Sequence, residues 1–380
     1  MIRFVNSFTI VLLLTSSFWV SANPYDKVRK KMVDKQATDE TAALYYNLQK
    51  LSKKHILFGH QDATAYGHTW TKGDNRSDVK DITGSHPAVV GLDFSGLAFA
   101  KGDRLENEKA RLSKLIIDIY NRGGVVTMAW HLRNPATEGS FYWDKDPVKA
   151  VEQIIPGGVK HEVYKKLLQD IADLSKSLIG KDGKQIPLIF RPFHEFDGNW
   201  FWWGKAHCTT QQFTDLWKFT VSYLRDDLKV HTFLYAFSPD CTFKTKAEFL
   251  ERYPGNDYVD MVGMDNYADM GRDGSNYDVA AQKLKIVADV AKANKKLAAF
   301  TETGLESVAD STWFTQKLLP VLRKEKLNLA YVLVWRNASD NPKHFYAPFK
   351  GHPAESDFVK FYKDDYILFE NELPNLYKIK

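Results

Sequence analysis

The residues Arg191-Pro-Phe-His194-Glu195 follow an apolar run, Ile186-Pro-Leu-Ile-Phe190, and lead through Gly198 into Trp200-Phe-Trp-Trp203-Gly204. A cation, an imidazole and a carboxylic acid thus stand beside three indoles at the end of a stretch with the length and composition of a buried parallel strand. Indole faces suit the C–H faces of sugar rings, and a carboxylic acid in a semi-enclosed site can be kept protonated and so act as a proton donor. This combination points to cleavage of a carbohydrate. Taken singly, each residue has an ordinary structural explanation, as a member of an ion pair or as a packed aromatic. Their concentration at one strand end favours chemistry.

A second carboxylate, Glu302 in Thr301-Glu302-Thr-Gly304, also closes an apolar run, 107 residues further on. Glycoside cleavage with retention needs two carboxyl groups about 5–5.5 Å apart, one as nucleophile and one as acid and then base; inversion needs about 6.5–9.5 Å. The sequence does not give that separation, and the two residues can meet only if the fold brings their strand ends together.

The elements that would do so recur along the chain. Short apolar segments at 55–60, 88–94, 125–130, 186–190, 232–239, 258–267, 296–304 and 329–337 predict eight strands. Segments of helical spacing over 105–120, 162–178, 209–224, 279–292 and 311–326 separate most of them. Gly123-Gly124 marks a helix stop, and Thr209-Thr-Gln-Gln212 a capping box. A further helix-forming segment, 26–53, precedes the first strand.

Eight strands alternating with helices predict a single (β/α)8 barrel in the α/β class. No Gly-x-Gly-x-x-Gly follows the first strand, which disfavours a dinucleotide-binding sheet. In such a barrel the reactive groups lie at the strands' C-terminal ends. Here those ends carry His60, Asp93, Trp130-His131, Arg191 with His194 and Glu195, Asp240, Asp265 with Tyr267, Glu302, and Trp335-Arg336. The long loops 62–85 and 133–158 are candidates to border a binding groove, and 343–380 reads as a closing segment of the same domain.

With 380 residues, 44% hydrophobic and 26% charged, the chain can bury one large core. Its formal charge of +5 is small, and Lys and Arg are interleaved with Asp and Glu, so a nucleic-acid partner is not expected. Arg3, the apolar segment 8–20 and Val20-Ser21-Ala22 form the pattern of an export leader, with cleavage expected before Asn23. The expectation is therefore a leader over 1–22, a catalytic barrel over 23–380, a periplasmic or secreted location, no membrane anchor after cleavage, and a monomer.

Of the two cysteines, Cys208 and Cys241, each follows one of two neighbouring strands, and in an oxidising compartment a disulfide is expected. No Cys-x-x-Cys or His-Glu-x-x-His spacing suggests zinc, and neither a metal nor a cofactor is expected.

Four motifs in order, Arg191-Pro-Phe-His194-Glu195 with Gly198 and Trp200–Gly204, Gly263-Met-Asp265-Asn-Tyr267, Thr301-Glu302-Thr-Gly304, and Trp335-Arg336-Asn337, resemble glycoside hydrolase family 26, best known for β-mannanases. The resemblance spans about His55 to Asn337. Met264 departs from it, standing where many relatives are expected to carry an aromatic residue.

The resemblance implies a retaining endo-β-1,4-mannanase acting on mannan, galactomannan or manno-oligosaccharides, with Glu195 as acid/base and Glu302 as nucleophile. It places His194 beside the acid, Tyr267 and Arg191 on the nucleophile, His131 and Trp335 around the sugar next to the cleaved bond, and Trp200 on the leaving-group side. Asp265 and Arg336 are implied as sugar contacts or supports.

Three other readings remain open. A family-related mixed-linkage β-glucanase or β-1,3-xylanase would share the mechanism. A non-catalytic carbohydrate-binding barrel would explain the aromatics but not two glutamates. A metal-dependent hydrolase would use His60, His131, Asp93 and Asp265.

Overall fold

The structure, a computed structural model, describes residues 1–2, 23–324 and 327–379. All of the expected leader but its first two residues, and the last two residues of the helix predicted over 311–326, lie outside them. Among the described residues no helix is long and apolar enough to cross a membrane.

Eight parallel strands form the barrel: β1 Ile56–Gln61, β2 Val89–Asp93, β3 Val125–Trp130, β4 Leu188–Pro192, β5 Phe233–Phe237, β6 Met261–Asn266, β7 Leu297–Thr303 and β8 Leu329–Val334. Each pairs with the next, and β8 pairs with β1, which also pairs with β2 through Gly59 and Val89, so the sheet closes. Nearly every strand residue is buried, because barrel side chains fill the interior on one face and meet helices on the other. That is why the strands read as continuous apolar runs rather than alternating ones.

The helices sit where the spacing places them, with ends set by local chemistry. The helix Asp103–Arg122 stops at Gly123, whose φ of 98° suits glycine, and Thr210–Ser222 starts from a capping box in which the Thr209 hydroxyl accepts from the Gln212 N–H at 3.1 Å. The segment expected to be one helix over 26–53 is instead two, Pro24–Arg29 and Asp39–Leu51. Between them the Val33 N–H donates to the buried carboxylate of Asp260 at 2.8 Å, a bond that a continuous helix would have used internally.

The closing segment packs the helix Glu355–Tyr362 and a two-residue strand, β9 Ile367–Leu368, against β1. There Phe58, Phe314, Phe358, Phe361 and Phe369 form one aromatic cluster.

The cysteine expectation is overturned: both thiols are free. Cys208 donates towards the Trp203 carbonyl at 3.6 Å and receives the Arg252 guanidinium at 3.4 Å, while Cys241 donates to Asp240 at 3.6 Å. Following neighbouring strands did not suffice, because each thiol is held by other partners, Cys208 by Trp203 and by Arg252 from the segment after β5, and Cys241 by Asp240.

Candidate active site

Strand register builds the carboxylate end of the site. Across β6 and β7, Asp265 stands opposite Glu302, after a bulge between Met264 and Asp265 that re-aims the strand end. Two carboxylates side by side repel unless a cation joins them. Arg191, on β4, supplies it: one guanidinium nitrogen donates to Asp265 at 2.7 Å and to Ser238 at 3.2 Å, and the other to Glu302. Although burial opposes its charge, Asp265 and Glu302 hold Arg191 firmly protonated. The Tyr267 hydroxyl donates to the second Glu302 oxygen at 2.9 Å. Glu302 is therefore gripped at both oxygens.

Glu195 has the opposite surroundings. After β4 the chain turns through two non-glycine residues of positive φ, Phe193 at 51° and Glu195 at 54°, and the Glu195 N–H is tied to the Ser238 carbonyl at 2.9 Å. Such backbone is costly and persists only where its surroundings enforce it. One side-chain donor reaches the carboxyl group, the Trp200 indole N–H at 2.6 Å. Burial, then the negative charges of Asp265, Glu302 and Asp240, push Glu195 well above the usual carboxylic acid range, and the Trp200 bond offsets only part of this.

Gly198 makes that arrangement possible. A Cβ there would lie 2.2 Å from the Trp200 ring.

Beside the acid lies an aspartate–histidine–histidine chain. The His131 Nδ1–H donates to Asp93 at 2.5 Å, and the His131 Nε2 faces the His194 Nε2 at 3.1 Å. Burial, Arg191 and His131 hold His194 far below the usual imidazole range, so it is neutral. Despite its own burial, Asp93 is kept below the normal carboxylate range by His131 and the Ser95 N–H.

Glu195, Glu302, His131, His194, Trp200, Tyr267 and Trp335 all border one cavity of about 360 Å³, which the barrel thus assembles from residues expected to act together. The larger hollow bordered by Lys31, Lys292 and Leu297, at the opposite end of the strands, is lined by no glutamate.

Three residues expected at the site, Arg191 on the nucleophile and Asp265 and Arg336 as sugar contacts or supports, lie outside the cavity lining. Asp265 is fully buried and outside the cavity lining, its oxygens taken by Arg191 and by the Thr301 hydroxyl at 2.7 Å; Arg191 is likewise buried and outside the lining. Arg191 bonds directly to Glu302, and Asp265 holds Arg191. Arg336 lies over the Tyr66 ring, 5.9 Å from its centroid, and not in this cavity.

Trp130, Trp202 and Trp203 are core residues, the last two tied by their indole N–H groups to the Leu132 and His194 carbonyls at 2.8 Å. His60 is buried, and desolvation lowers it to about 4.

The cavity also has walls that sequence reasoning did not single out: Tyr142, Phe201, Arg272, His344 and Tyr346. The loop 133–158 does border the groove, since Tyr142 bridges to Phe201 and the Trp143 N–H donates to the Trp200 carbonyl at 2.7 Å. Tyr346 and His344 belong to the aromatic-rich closing segment, the one available hint. Nothing in the sequence marks Arg272.

Among the described residues, His194, Asp265 and Glu302 are near enough to share a metal ion. The Arg191 guanidinium already occupies that role by donating to both carboxylates. The set His60, His131, Asp93 and Asp265 is not brought together: Asp93 is engaged by His131 and Asp265 by Arg191.

Comparison with known proteins agrees with this geometry. The sequence profile of Glycosyl hydrolase family 26 matches residues 33–317. The structure of GH26C from Muricauda sp. MAR_2010_75 superposes with a TM-score of 0.88 at 36% identity, over 94% of this chain and 98% of that one. A GH26 β-mannanase from Bacteroides ovatus gives 0.85 at 41% identity, over 90% and 98%. A mannan endo-1,4-β-mannosidase of Bifidobacterium adolescentis is 34% identical over 86% of this chain, which spans only 34% of that protein's length.

Proposed function

This chain belongs to glycosyl hydrolase family 26, and from that premise we propose that it is a retaining endo-β-1,4-mannanase cleaving mannan, galactomannan or manno-oligosaccharides. The observation that carries the proposal is the pair of glutamates on one cavity with different surroundings: Glu302 is bonded at both oxygens by Arg191 and Tyr267, and Glu195 is held protonated by burial. The names of the relatives support mannan as substrate over mixed-linkage glucan or β-1,3-xylan.

In the first step a Glu302 oxygen bonds to the anomeric carbon while the bond from that carbon to the leaving sugar's oxygen breaks, and Glu195 gives its proton to that oxygen. The product is a glycosyl ester on Glu302. A water then attacks the same carbon, Glu195 takes the water's proton, and the ester bond breaks to restore the Glu302 carboxylate. Two inversions at one carbon give net retention. The Trp335 ring is assigned to the sugar held at the nucleophile and Trp200 to the leaving sugar, with His131 as a polar contact between them.

Replacement Glu302→Ala tests the scheme. Turnover of galactomannan should drop by about 10⁴-fold or more while mannohexaose still binds. Unchanged turnover would eliminate the double displacement. Wild-type activity on lichenan or β-1,3-xylan with none on mannan would overturn the substrate alone.

We also propose that the protein is exported, on the strength of the leader pattern over 1–22, and that it works as a monomer. Mass spectrometry of the protein from its own cell envelope or medium should find a chain starting at Asn23.

A further inference from the structure

Past Tyr267 and Tyr346 the catalytic cavity continues into a side hollow of about 220 Å³ that the double displacement does not use. The two spaces share Tyr267, Arg272 and Tyr346, and Tyr267 bonds to Glu302, so the hollow adjoins the Glu302 side of the cavity. Its far walls are Gly271, Gly304, Leu305 and Glu306, from the loops after β6 and β7. Its volume is that of about seven liquid waters, the scale of one pyranose with its hydroxyls and too little for a continuing chain.

Trp200, assigned to the leaving-group side, follows β4, whereas the hollow is walled by the loops after β6 and β7.

The lining has the chemistry of a sugar site. Tyr346 forms a fixed aromatic wall, packed edge-on against Tyr267 at 5.7 Å and against His344 at 5.3 Å between ring centroids. Its approach depends on Gly304, at φ +142°, where a Cβ would lie 2.5 Å from the Tyr346 ring. Arg272, half exposed and paired with Asp273 at 3.0 Å, offers a planar fork of donors suited to neighbouring hydroxyls. Glu306 offers acceptors, and one of its oxygens is held by the His344 Nδ1 at 2.7 Å. An aromatic face, a donor fork and an anchored acceptor converge on a one-ring space.

We propose that this hollow is a subsite for a single hexose branch, such as the galactosyl unit of galactomannan, carried by the main-chain sugar bound next to Glu302. The inference rests on the mannanase reading, and it makes the enzyme one that cleaves beside a branch rather than only between bare units.

The test compares kcat/KM on linear mannohexaose with that on a manno-oligosaccharide of the same length bearing one galactosyl unit, with the products sequenced. Two variants address the hollow at a residue that lines it and not the main cavity: Leu305→Trp fills the space, and Leu305→Phe narrows it. The wild type should release a product whose new reducing-end sugar carries the branch. Each variant should keep mannohexaose cleavage within about twofold and lose about tenfold or more on the branched substrate.

The subsite would be overturned if both substrates changed in parallel in both variants, or if the wild type never left a branch on that terminal sugar. Absence of wild-type cleavage of mannohexaose itself would instead remove the mannanase reading.

Discussion

Glu195 receives one side-chain hydrogen bond, from the Trp200 indole at 2.6 Å, whereas Glu302 receives donors on both oxygens, Arg191 on one and Tyr267 on the other. Two identical side chains thus meet different surroundings, burial keeping Glu195 protonated, and that difference suits the proposed acid and nucleophile. Because Glu195 must be protonated to assist departure of the leaving sugar, kcat/KM on mannan should fall as pH rises through its elevated pKa. That limb should lie well to the alkaline side of an ordinary carboxylic acid. Trp200→Phe removes the one bond that favours the charged form, so the limb should move further alkaline; an acid shift would contradict the assignment.

Glu195→Gln should cost about 10²–10⁴-fold on mannan. The loss should be far smaller on an aryl mannoside whose leaving group needs no proton. Equal losses on the two substrates would mean that Glu195 is not the acid.

At the scale of elements, the site depends on the bulge and register of β6 against β7, which set Asp265 opposite Glu302, and on β4, which brings Arg191 between them. The opposite end of β6 is held differently. Asp260, just before that strand, accepts the Val33 N–H at 2.8 Å and the Tyr235 N–H at 3.1 Å, tying the N-terminal helices to β5. Burial raises Asp260 to about 6, so the folded state binds its proton more tightly than the unfolded chain does. Its contribution to stability is accordingly fullest below the unfolded value of 3.8 and declines as pH rises towards about 6.

Asp260→Ala would leave two buried N–H groups unpaired, at a cost of about 2–4 kcal/mol measured by denaturant unfolding at pH 7. A loss under about 0.5 kcal/mol would mean that water replaces the carboxylate.

For the molecule as a whole, two free thiols replace the expected crosslink. Cys208 and Cys241 are buried, and burial raises both thiols above their usual range, so neither reacts readily in the folded state. Thiol titration in denaturant without reductant should find two groups per chain, and reductant should leave the melting temperature unchanged. A titre of zero would restore the disulfide.

Barrel closure joins ends far apart in sequence. β8 pairs with β1, and β9 with its aromatic partners covers the outside of that seam. Residues 343–379 therefore complete the same domain, and through His344 and Tyr346 they also wall the cavity.

Much of this was legible in the chain. Strands buried on both faces must be apolar along their whole length, so all eight were visible, and the polar residue that ends such a run marks the mouth of the barrel. Glu195 and Glu302 stood out for that reason, and the motifs around them carried the family resemblance. What the chain could not express were relations across it. Asp265 and Arg336 read equally as sugar contacts or as supports until Arg191 was found bonded to the one and Tyr66 beneath the other, and Cys208 and Cys241 read as a pair until each was found with partners of its own.

Arg272 and Tyr346 reach the cavity from loops with no periodic pattern to mark them. Residue types and local periodicity, which depend on near neighbours in the chain, determined the fold and singled out the two glutamates proposed to react. Tertiary structure alone decided which groups line the cavity and which lie behind it, because hydrogen bonds and desolvation act between surfaces that only closure of the barrel brings together.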